Sequence, residues 1–169
     1  MDKYIKEICF ILVVSVFLGI LRFMFVDDPT FTLIKYRREL KELGPSINDK
    51  GQRIFALPEF MTEPMVVDLE FTKFLNNNNG VIIDARDPED YESGHIINAV
   101  NIPFNFYDDY TDLIDSLDYK GIYIVYCGGG DCSLSIDLAD ILFNEKLFEN
   151  VFIFEGGFPE WKSAGLPIQ

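Results

Sequence analysis

Short apolar runs that alternate with helix-like segments dominate the chain from residue 81 onward. The runs GVIIDAR, AVNIPF, IYIVYC and NVFIFEG are separated by stretches with prolines, acidic residues and helical spacing. Apolar strands that alternate with helices are typical of a parallel sheet covered by helices on both faces. The pattern therefore predicts one α/β domain over residues 66–169, in which a first strand is followed by a helix that Asp68 opens.

Two of the three cysteines flank a glycine run directly after one of these strands. The stretch YCGGGDCS, residues 126–133, follows an apolar run and precedes the helix-like LSIDLADILF. Sites in parallel sheets lie at the carboxyl ends of strands, so Cys127 occupies a candidate site position. Glycines can aim backbone amides inward, and a loop of this kind would lower the pKa of the Cys127 thiol. The alternative is a buried structural cysteine beside a tight turn.

Three blocks of the sequence resemble the rhodanese-like sulfurtransferase domain. VIIDARDPEDYESGHIINAVNIPF is similar to the leading block of that family, YIVYCGGGDCS to its active-site strand and loop, and VFIFEGGFPEWKSAGLPI to its closing block. The similarity covers residues 66–169, with the blocks in order. It implies the rhodanese-like α/β fold, in which a central, mostly parallel sheet carries helices on both faces.

The resemblance implies that Cys127 is the catalytic residue of a persulfide cycle. Its sulfur would attack a sulfur donor, carry the sulfane sulfur as a persulfide and pass it to a thiol acceptor, without any cofactor. Donor and acceptor can be small molecules or proteins. The expected persulfide-binding loop comprises Gly128, Gly129, Gly130, Asp131, Cys132 and Ser133. The amides of residues 128–131 would stabilise the persulfide anion as oriented dipoles.

Six further positions match the family's motifs and are expected to support the fold. They are Asp84, Arg86, His95, Gly156, Gly157 and Trp161. The arginine is expected in an ion pair and the tryptophan in the core. The histidine is expected in a structural hydrogen bond, because the sulfur cycle needs no distant base.

The loop departs from many active members of the family because it contains no basic residue. Position 133 is Ser, where phosphatase relatives need the Arg of a Cys-x5-Arg loop, so phosphatase activity is not expected. Residues 66–169 contain 19 acidic and 5 basic residues, which repel phosphate backbones and argue against a nucleic-acid partner. A low-molecular-weight or protein persulfide is therefore a better expected donor than the thiosulfate dianion.

Three functions remain open at this point. The first is a sulfurtransferase or persulfide carrier, the second a catalytically silent binding module for a membrane partner, and the third a thiol–disulfide redox protein. Cys132 is either a resolving thiol that attacks the Cys127 persulfide and leaves a disulfide, or a small residue at the start of a helix. The absence of a C-x-x-C pair favours the small residue. With a single His in the chain, no metal site is expected either.

Residues 1–26 predict an N-terminal membrane anchor. The run from Ile8 to Val26 is apolar apart from Ser15, Arg22 and a glycine, and as a helix it would reach about 28 Å. The prediction is a single-pass membrane protein whose partners include the bilayer and an integral-membrane protein. The basic residues after the run favour a cytoplasmic domain, whereas the short tail before it favours a domain outside the cytoplasm, and the prediction is the extracytoplasmic side.

Residues 27–65 connect this predicted anchor to the predicted domain. The first part, up to Gly44, has the spacing of an amphipathic helix. The second part contains three prolines and predicts an extended linker.

Overall fold

The computed structural model describes residues 2–25, 39–130 and 132–169. The chain divides into two compact units at residue 39, residues 1–39 and 40–169. The first unit contains helix α1, Asp2–Phe25. Across the described part of the chain, no helix combines the length and the apolar character needed to cross a membrane. The predicted single-pass anchor and membrane localisation are therefore wrong. The first two turns of α1 are charged, and its charge-free stretch over residues 8–21 spans about 21 Å, shorter than the roughly 30 Å of hydrocarbon.

The second unit is built on a parallel sheet. The strands are β1 Glu42–Leu43, β2 Ser46–Ile47, β3 Arg53–Ile54, β4 Met65–Val67, β5 Val81–Asp84, β6 Val100–Asn101, β7 Ile122–Tyr126 and β8 Asn150–Phe154. Six of them form the sheet in the order β1-β4-β8-β7-β5-β6, and every neighbouring pair is parallel. Strands β2 and β3 form a separate antiparallel pair. Strand β7 is flanked by β5 and β8 along its length, so it lies at the centre of the sheet.

Helices cover both faces of this sheet. They are α2 Leu69–Asn77, α3 Pro88–Glu92, a 3₁₀ helix Phe104–Tyr110, α4 Thr111–Ser116, α5 Leu134–Asp140, a π-helical turn Ile141–Glu145 and α6 Gly157–Ser163. Successive side chains of a strand point to opposite faces. Tyr123 and Val125 of β7 lie in the core layer formed with α4 and α5, whereas Ile124 and Tyr126 lie in the layer formed with α2 and α6. The expected α/β architecture with a central parallel sheet is confirmed.

The segment before β4 differs from the sequence prediction. Residues 27–38, most of the predicted amphipathic helix, lie outside the described residues. The last part of that predicted helix forms a β-strand instead. Glu42 and Leu43 pair in parallel with Val66 and Val67, and the amide of Val66 donates a hydrogen bond to the carbonyl of Lys41 at 2.9 Å. Residues 40–65 therefore belong to the same compact unit as the rest of the sheet.

Candidate functional site

Cys127 is the first residue after β7, the central strand. Its side chain is 2% exposed and lies in the core layer formed with α4 and α5. Its carbonyl oxygen accepts a hydrogen bond from the amide of Phe158 at 3.0 Å. The cysteine therefore lies at the carboxyl edge of the parallel sheet, at the point where the glycine loop begins.

Cys127 and Cys132 form a disulfide, and their Cα atoms are 6.5 Å apart. Two glycines between them turn the chain back towards the strand end: Gly129 has φ 75° and Gly130 has φ 61°, in the left-handed region that favours glycine. The amide of Cys132 donates a hydrogen bond to the carbonyl of Gly129 at 3.3 Å. The glycine run thus returns the second sulfur to the first within five residues.

The glycine loop packs against the turn that follows β8. A Cβ atom on Gly129 would lie 2.7 Å from the carbonyl oxygen of Gly156. A Cβ atom on Gly157, which has φ 58°, would overlap the carbonyl oxygen of Cys127 and lie 2.7 Å from the amide nitrogen of Gly129. Both glycines are required by this close backbone approach, so the closing block of the sequence is in direct contact with the cysteine loop.

Ser135 is a site residue that the sequence analysis missed. It lies in α5 and is 1% exposed, and its Oγ is 3.3 Å from the Sγ of Cys127. The sulfur of a disulfide carries no proton, so the serine hydroxyl donates this hydrogen bond. Ser135 shares the buried face of α5 with Leu138 and Ala139. A polar residue on an otherwise apolar helix face was the available signal, because a buried hydroxyl needs a partner.

The other residues of the predicted loop have different surroundings. A Cβ atom on Gly128 would have no heavy atom within 4 Å. The Oγ of Ser133 donates a hydrogen bond to Oδ2 of Asp137 at 2.9 Å, and Asp131 lies outside the described residues. Over the residues that the structure describes, no group of three or more His, Cys, Asp or Glu side chains could hold a metal ion.

A buried ion pair lies at the end of β5, the strand beside β7. The carboxylate of Asp84 is fully buried and accepts hydrogen bonds from Nη2 and Nε of Arg86, at 2.6 and 3.0 Å. Burial alone would lower the pKa of Arg86, but its hydrogen bond with Asp84 and the negative charge of that carboxylate raise it overall. This arginine therefore holds the loop after β5, and its Nη2 also donates to the carbonyl of Gly94 at 2.9 Å.

Tyr126 connects this ion pair to the strand that leads into the cysteine loop. Its hydroxyl donates a hydrogen bond to Oδ2 of Asp84 and accepts one from the amide of Ile96 at 3.2 Å. Burial raises the pKa of Tyr126 far above its ordinary value, and the charge and hydrogen bond of Asp84 raise it further. The phenol is therefore neutral over the whole physiological range.

His95 and Trp161 fasten the final described residues to the domain. The Nδ1–H of His95 can donate to the carbonyl of Tyr91 at 2.9 Å, and the two rings stack with centroids 3.7 Å apart. The backbone amide of His95 donates to the carbonyl of Gln169. Trp161 is 3% exposed, and its Nε1–H donates to the carbonyl of Pro167 at 2.9 Å. These contacts support the fold. Among the described hydrogen bonds of the Cys127 sulfur, none involves the ring of His95 or of Trp161.

The comparison with protein families identifies the domain. The sequence model of the rhodanese-like domain family matches residues 69–164 of this chain. The chain belongs to the rhodanese-like domain family.

Known relatives of this rhodanese-like chain carry different names. It is 29% identical over 129 residues to a protein named tRNA uridine(34) hydroxylase from Chlamydia trachomatis serovar L2. That alignment covers 73% of this chain and 36% of the relative, so the chain spans about a third of the relative's length. The likeness to this relative is therefore confined to one part of a larger protein.

Solved structures support the fold assignment. The solution structure of the rhodanese-like domain of an Anabaena sp. protein is similar at 26% identity and a TM-score of 0.50, over 64% of this chain and 80% of that one. A thiosulfate sulfurtransferase from Pseudomonas aeruginosa shares the fold at 23% identity and a TM-score of 0.51, over 63% of this chain and 20% of that one.

Proposed function

We propose that this protein is a sulfurtransferase or persulfide carrier that holds sulfane sulfur on Cys127. The observation that supports the proposal is the position of this cysteine in a rhodanese-like domain. It lies directly after the central strand, at the carboxyl edge where parallel sheets bind ligands, and it starts a loop of three glycines.

The loading step transfers one sulfur atom and no net electrons. The thiolate of Cys127 attacks the outer sulfur of a donor persulfide, R–S–SH. A new S–S bond forms at Cys127, the S–S bond of the donor breaks, and the donor leaves as the thiolate R–S⁻. The product, Cys127–S–SH, then loses its proton to solvent, and the backbone amides of residues 128–130 are the proposed stabilisers of the persulfide anion, as oriented dipoles. The same exchange in reverse delivers the sulfur to an acceptor thiol.

The charge of the site favours a donor with little negative charge. No Lys, Arg or His occurs among residues 127–135, and residues 66–169 carry 19 acidic against 5 basic residues. A thiosulfate dianion would be repelled by this domain, whereas a low-molecular-weight or protein persulfide carries a smaller charge. We therefore propose a persulfide as the sulfur donor.

The protein can accept sulfur only in its reduced form, not in the disulfide form. While Cys127 is bonded to Cys132, no thiolate is available as a nucleophile. Sulfur transfer therefore requires prior reduction by an external thiol. We expect the oxidised protein to gain no sulfur from a persulfide donor until it has been treated with a reductant.

The test is to load the protein and locate the sulfur. The full chain is reduced, freed of reductant without air and mixed with cysteine persulfide. It is then quenched early with an alkylating agent and digested at lysine and arginine. Residues 121–146 form one peptide that contains both loop cysteines and no other. The parent protein is expected to gain one sulfur atom on this peptide, Cys127→Ser is not, and Cys9→Ser is the matched control that gains it like the parent.

A parent protein that never gains sulfur under these conditions contradicts the proposal. The result would instead favour the catalytically silent binding module. Cys9 is a suitable control because it is an exposed free thiol in the other compact unit.

A second candidate is a part in tRNA modification, which the name of the Chlamydia trachomatis relative suggests. The 29% identity over 129 residues favours it. The acidic charge of the domain opposes it, because RNA phosphates bind basic surfaces. Titration of the full chain with bulk tRNA at low and moderate salt separates the two: salt-sensitive binding supports the second candidate, and the first expects none.

A further inference from the structure

We infer that Cys132 resolves the Cys127 persulfide, so that the domain releases its sulfur as sulfide and is left as the observed disulfide. This inference rests on the proposed function, because it requires that Cys127 first becomes a persulfide. It goes further by naming the product as reduced sulfur, and it assigns a role to the second cysteine of the loop.

The first support is that the sulfur of Cys132 already reaches the sulfur of Cys127 within the native fold. The two cysteines are bonded, and their Cα separation of 6.5 Å lies within the range that disulfides adopt. Their backbones are held by the turn in which the Cys132 amide donates to the Gly129 carbonyl. The loop is thus built with an internal thiol beside the sulfur that would carry the cargo.

The second support is the accessibility of Cys127. Its side chain is only 2% exposed in the disulfide form. Loading requires that the reduced loop opens one side of this sulfur, and the outer sulfur of the persulfide then occupies that side, which leaves a second thiol from solution little access to the inner sulfur. An intramolecular thiol does not face this barrier and acts at a high effective concentration. Cys132 is partly exposed, so the disulfide can still be attacked by an external reductant from its side.

The third support is the environment of the attacked atom. The Oγ of the buried Ser135 lies 3.3 Å from the Sγ of Cys127, and the carbonyl oxygen of Cys132 lies 3.5 Å from the same sulfur. The serine hydroxyl donates a hydrogen bond to the inner sulfur and holds it in place, whereas the carbonyl oxygen, itself an acceptor, only contacts it. An anchored inner sulfur beside a tethered thiol favours attack at that atom and departure of the outer one.

The step balances in atoms and electrons. The thiolate of Cys132 attacks Sγ of the protonated persulfide, Cys127–S–SH. The bond between the two cysteine sulfurs forms, the bond between Cys127 Sγ and the outer sulfur breaks, and the outer sulfur leaves as HS⁻. The sulfane sulfur is reduced by two electrons, and the two cysteines are oxidised to the disulfide. No other oxidant is needed, and a dithiol reductant from outside restores the two thiols for the next cycle.

The experiment follows both products in the absence of oxygen. The full chain is reduced, freed of reductant and mixed with one equivalent of cysteine persulfide in an anaerobic chamber. Samples are quenched at intervals, released sulfide is trapped, and the peptide of residues 121–146 is analysed by mass spectrometry. The parent is expected to convert the persulfide into a disulfide while sulfide appears in equal amount. Cys132→Ser is expected to keep the Cys127 persulfide at least about tenfold longer.

Controls separate this inference from the proposed function and from misfolding. Cys132→Ala repeats the deletion without a hydroxyl, and circular dichroism of both variants reports the fold. If both variants gain sulfur but lose it as fast as the parent, resolution by Cys132 is refuted and the proposed function stands. If neither the parent nor the variants gain sulfur, the proposed function and the inference fall together. A disulfide that forms without matching sulfide also refutes the inference.

Discussion

The hydroxyl of Ser135 lies 3.3 Å from the sulfur of Cys127, and both side chains are buried. The contact joins the end of the central strand to the first turn of α5, across a loop of seven residues. The serine belongs to none of the three blocks that resemble the rhodanese-like family, although it is in contact with the sulfur that the family motif identifies. The reactivity of the reduced cysteine should therefore depend on a residue outside those blocks.

Ser135→Ala is expected to slow alkylation of Cys127 in the reduced protein. The variant removes a hydrogen-bond donor from the thiolate, which destabilises that form by about 1 kcal/mol. This corresponds to roughly fivefold fewer thiolates at neutral pH. The rate of iodoacetamide modification of the 121–146 peptide measures the effect. Ser116→Ala, which removes an exposed hydroxyl from α4, serves as the control, and equal rates for the two variants would contradict the prediction.

Gly157→Ala is expected to displace the cysteine loop and abolish sulfur loading. Its Cβ would overlap the carbonyl of Cys127, and φ at this position is 58°. Gly165→Ala is the matched control, because φ there is 69° and no atom lies within 4 Å of the added Cβ. Both variants carry the cost of about 1–2 kcal/mol for a left-handed alanine. Only the first should lose loading, as measured by the mass of the peptide.

Gly128→Arg is expected to make thiosulfate a usable donor. A Cβ at this position meets no heavy atom within 4 Å, and the backbone is not left-handed. A guanidinium beside the loop would attract a dianion more than the singly charged cysteine persulfide, shifting the ratio of the two loading rates roughly tenfold towards thiosulfate. Gly128→Gln adds a side chain without charge and should leave the ratio unchanged. A ratio that moves equally in both variants would show that charge does not select the donor.

Tyr126→Phe is expected to lower the stability of the domain at neutral pH. It should also make the loss of stability above pH 10 less steep than in the parent. The variant removes the hydroxyl that donates to Asp84 and accepts from the amide of Ile96. The loss of two buried hydrogen bonds should lower the free energy of unfolding by about 1–3 kcal/mol at pH 7. Urea denaturation measures this difference.

The pH dependence of the same variant tests the pKa of Tyr126. Its pKa in the folded state is raised above the value of about 10 in the unfolded chain. The neutral phenol therefore stabilises the fold below that pH, and the contribution is lost progressively as the pH rises further, by up to about 1.4 kcal/mol per pH unit. Above pH 10 the parent should lose stability more steeply than Tyr126→Phe. Tyr119→Phe, which changes an exposed tyrosine, should follow the parent, and parallel curves for all three proteins would refute the prediction.

Local patterns in the sequence were sufficient for the elements that depend on neighbouring residues. The apolar runs predicted β5, β7 and β8, and Asp68 accepts from the amide of Phe71 at 2.7 Å as the expected cap of α2. The position of Cys127 after β7 followed from the end of its apolar run. A strand buried on both faces shows as a continuous apolar run, and a helix start shows as a side chain that can accept from the first amides. Both signals lie in residues a few positions apart in the sequence.

The apolar run at the start of the chain shows where a local pattern misled. Its composition predicted a membrane anchor, but the part of the run without charges begins after the charged first two turns of α1 and already ends before Arg22. The length between charges, rather than the number of apolar residues, was the relevant quantity.

Tertiary structure alone decided the contacts between distant parts of the chain. Glu42 and Leu43 have the spacing of a helix, yet they extend because the edge of β4 offers parallel pairing at Val66 and Val67. The close approach of Gly157 to Cys127 joins positions 30 residues apart, and the disulfide and the Ser135 contact need the same folded loop. Such contacts become favourable only after the sheet has brought the segments together, because the entropy of closing the intervening chain must be offset by the packing of the whole domain.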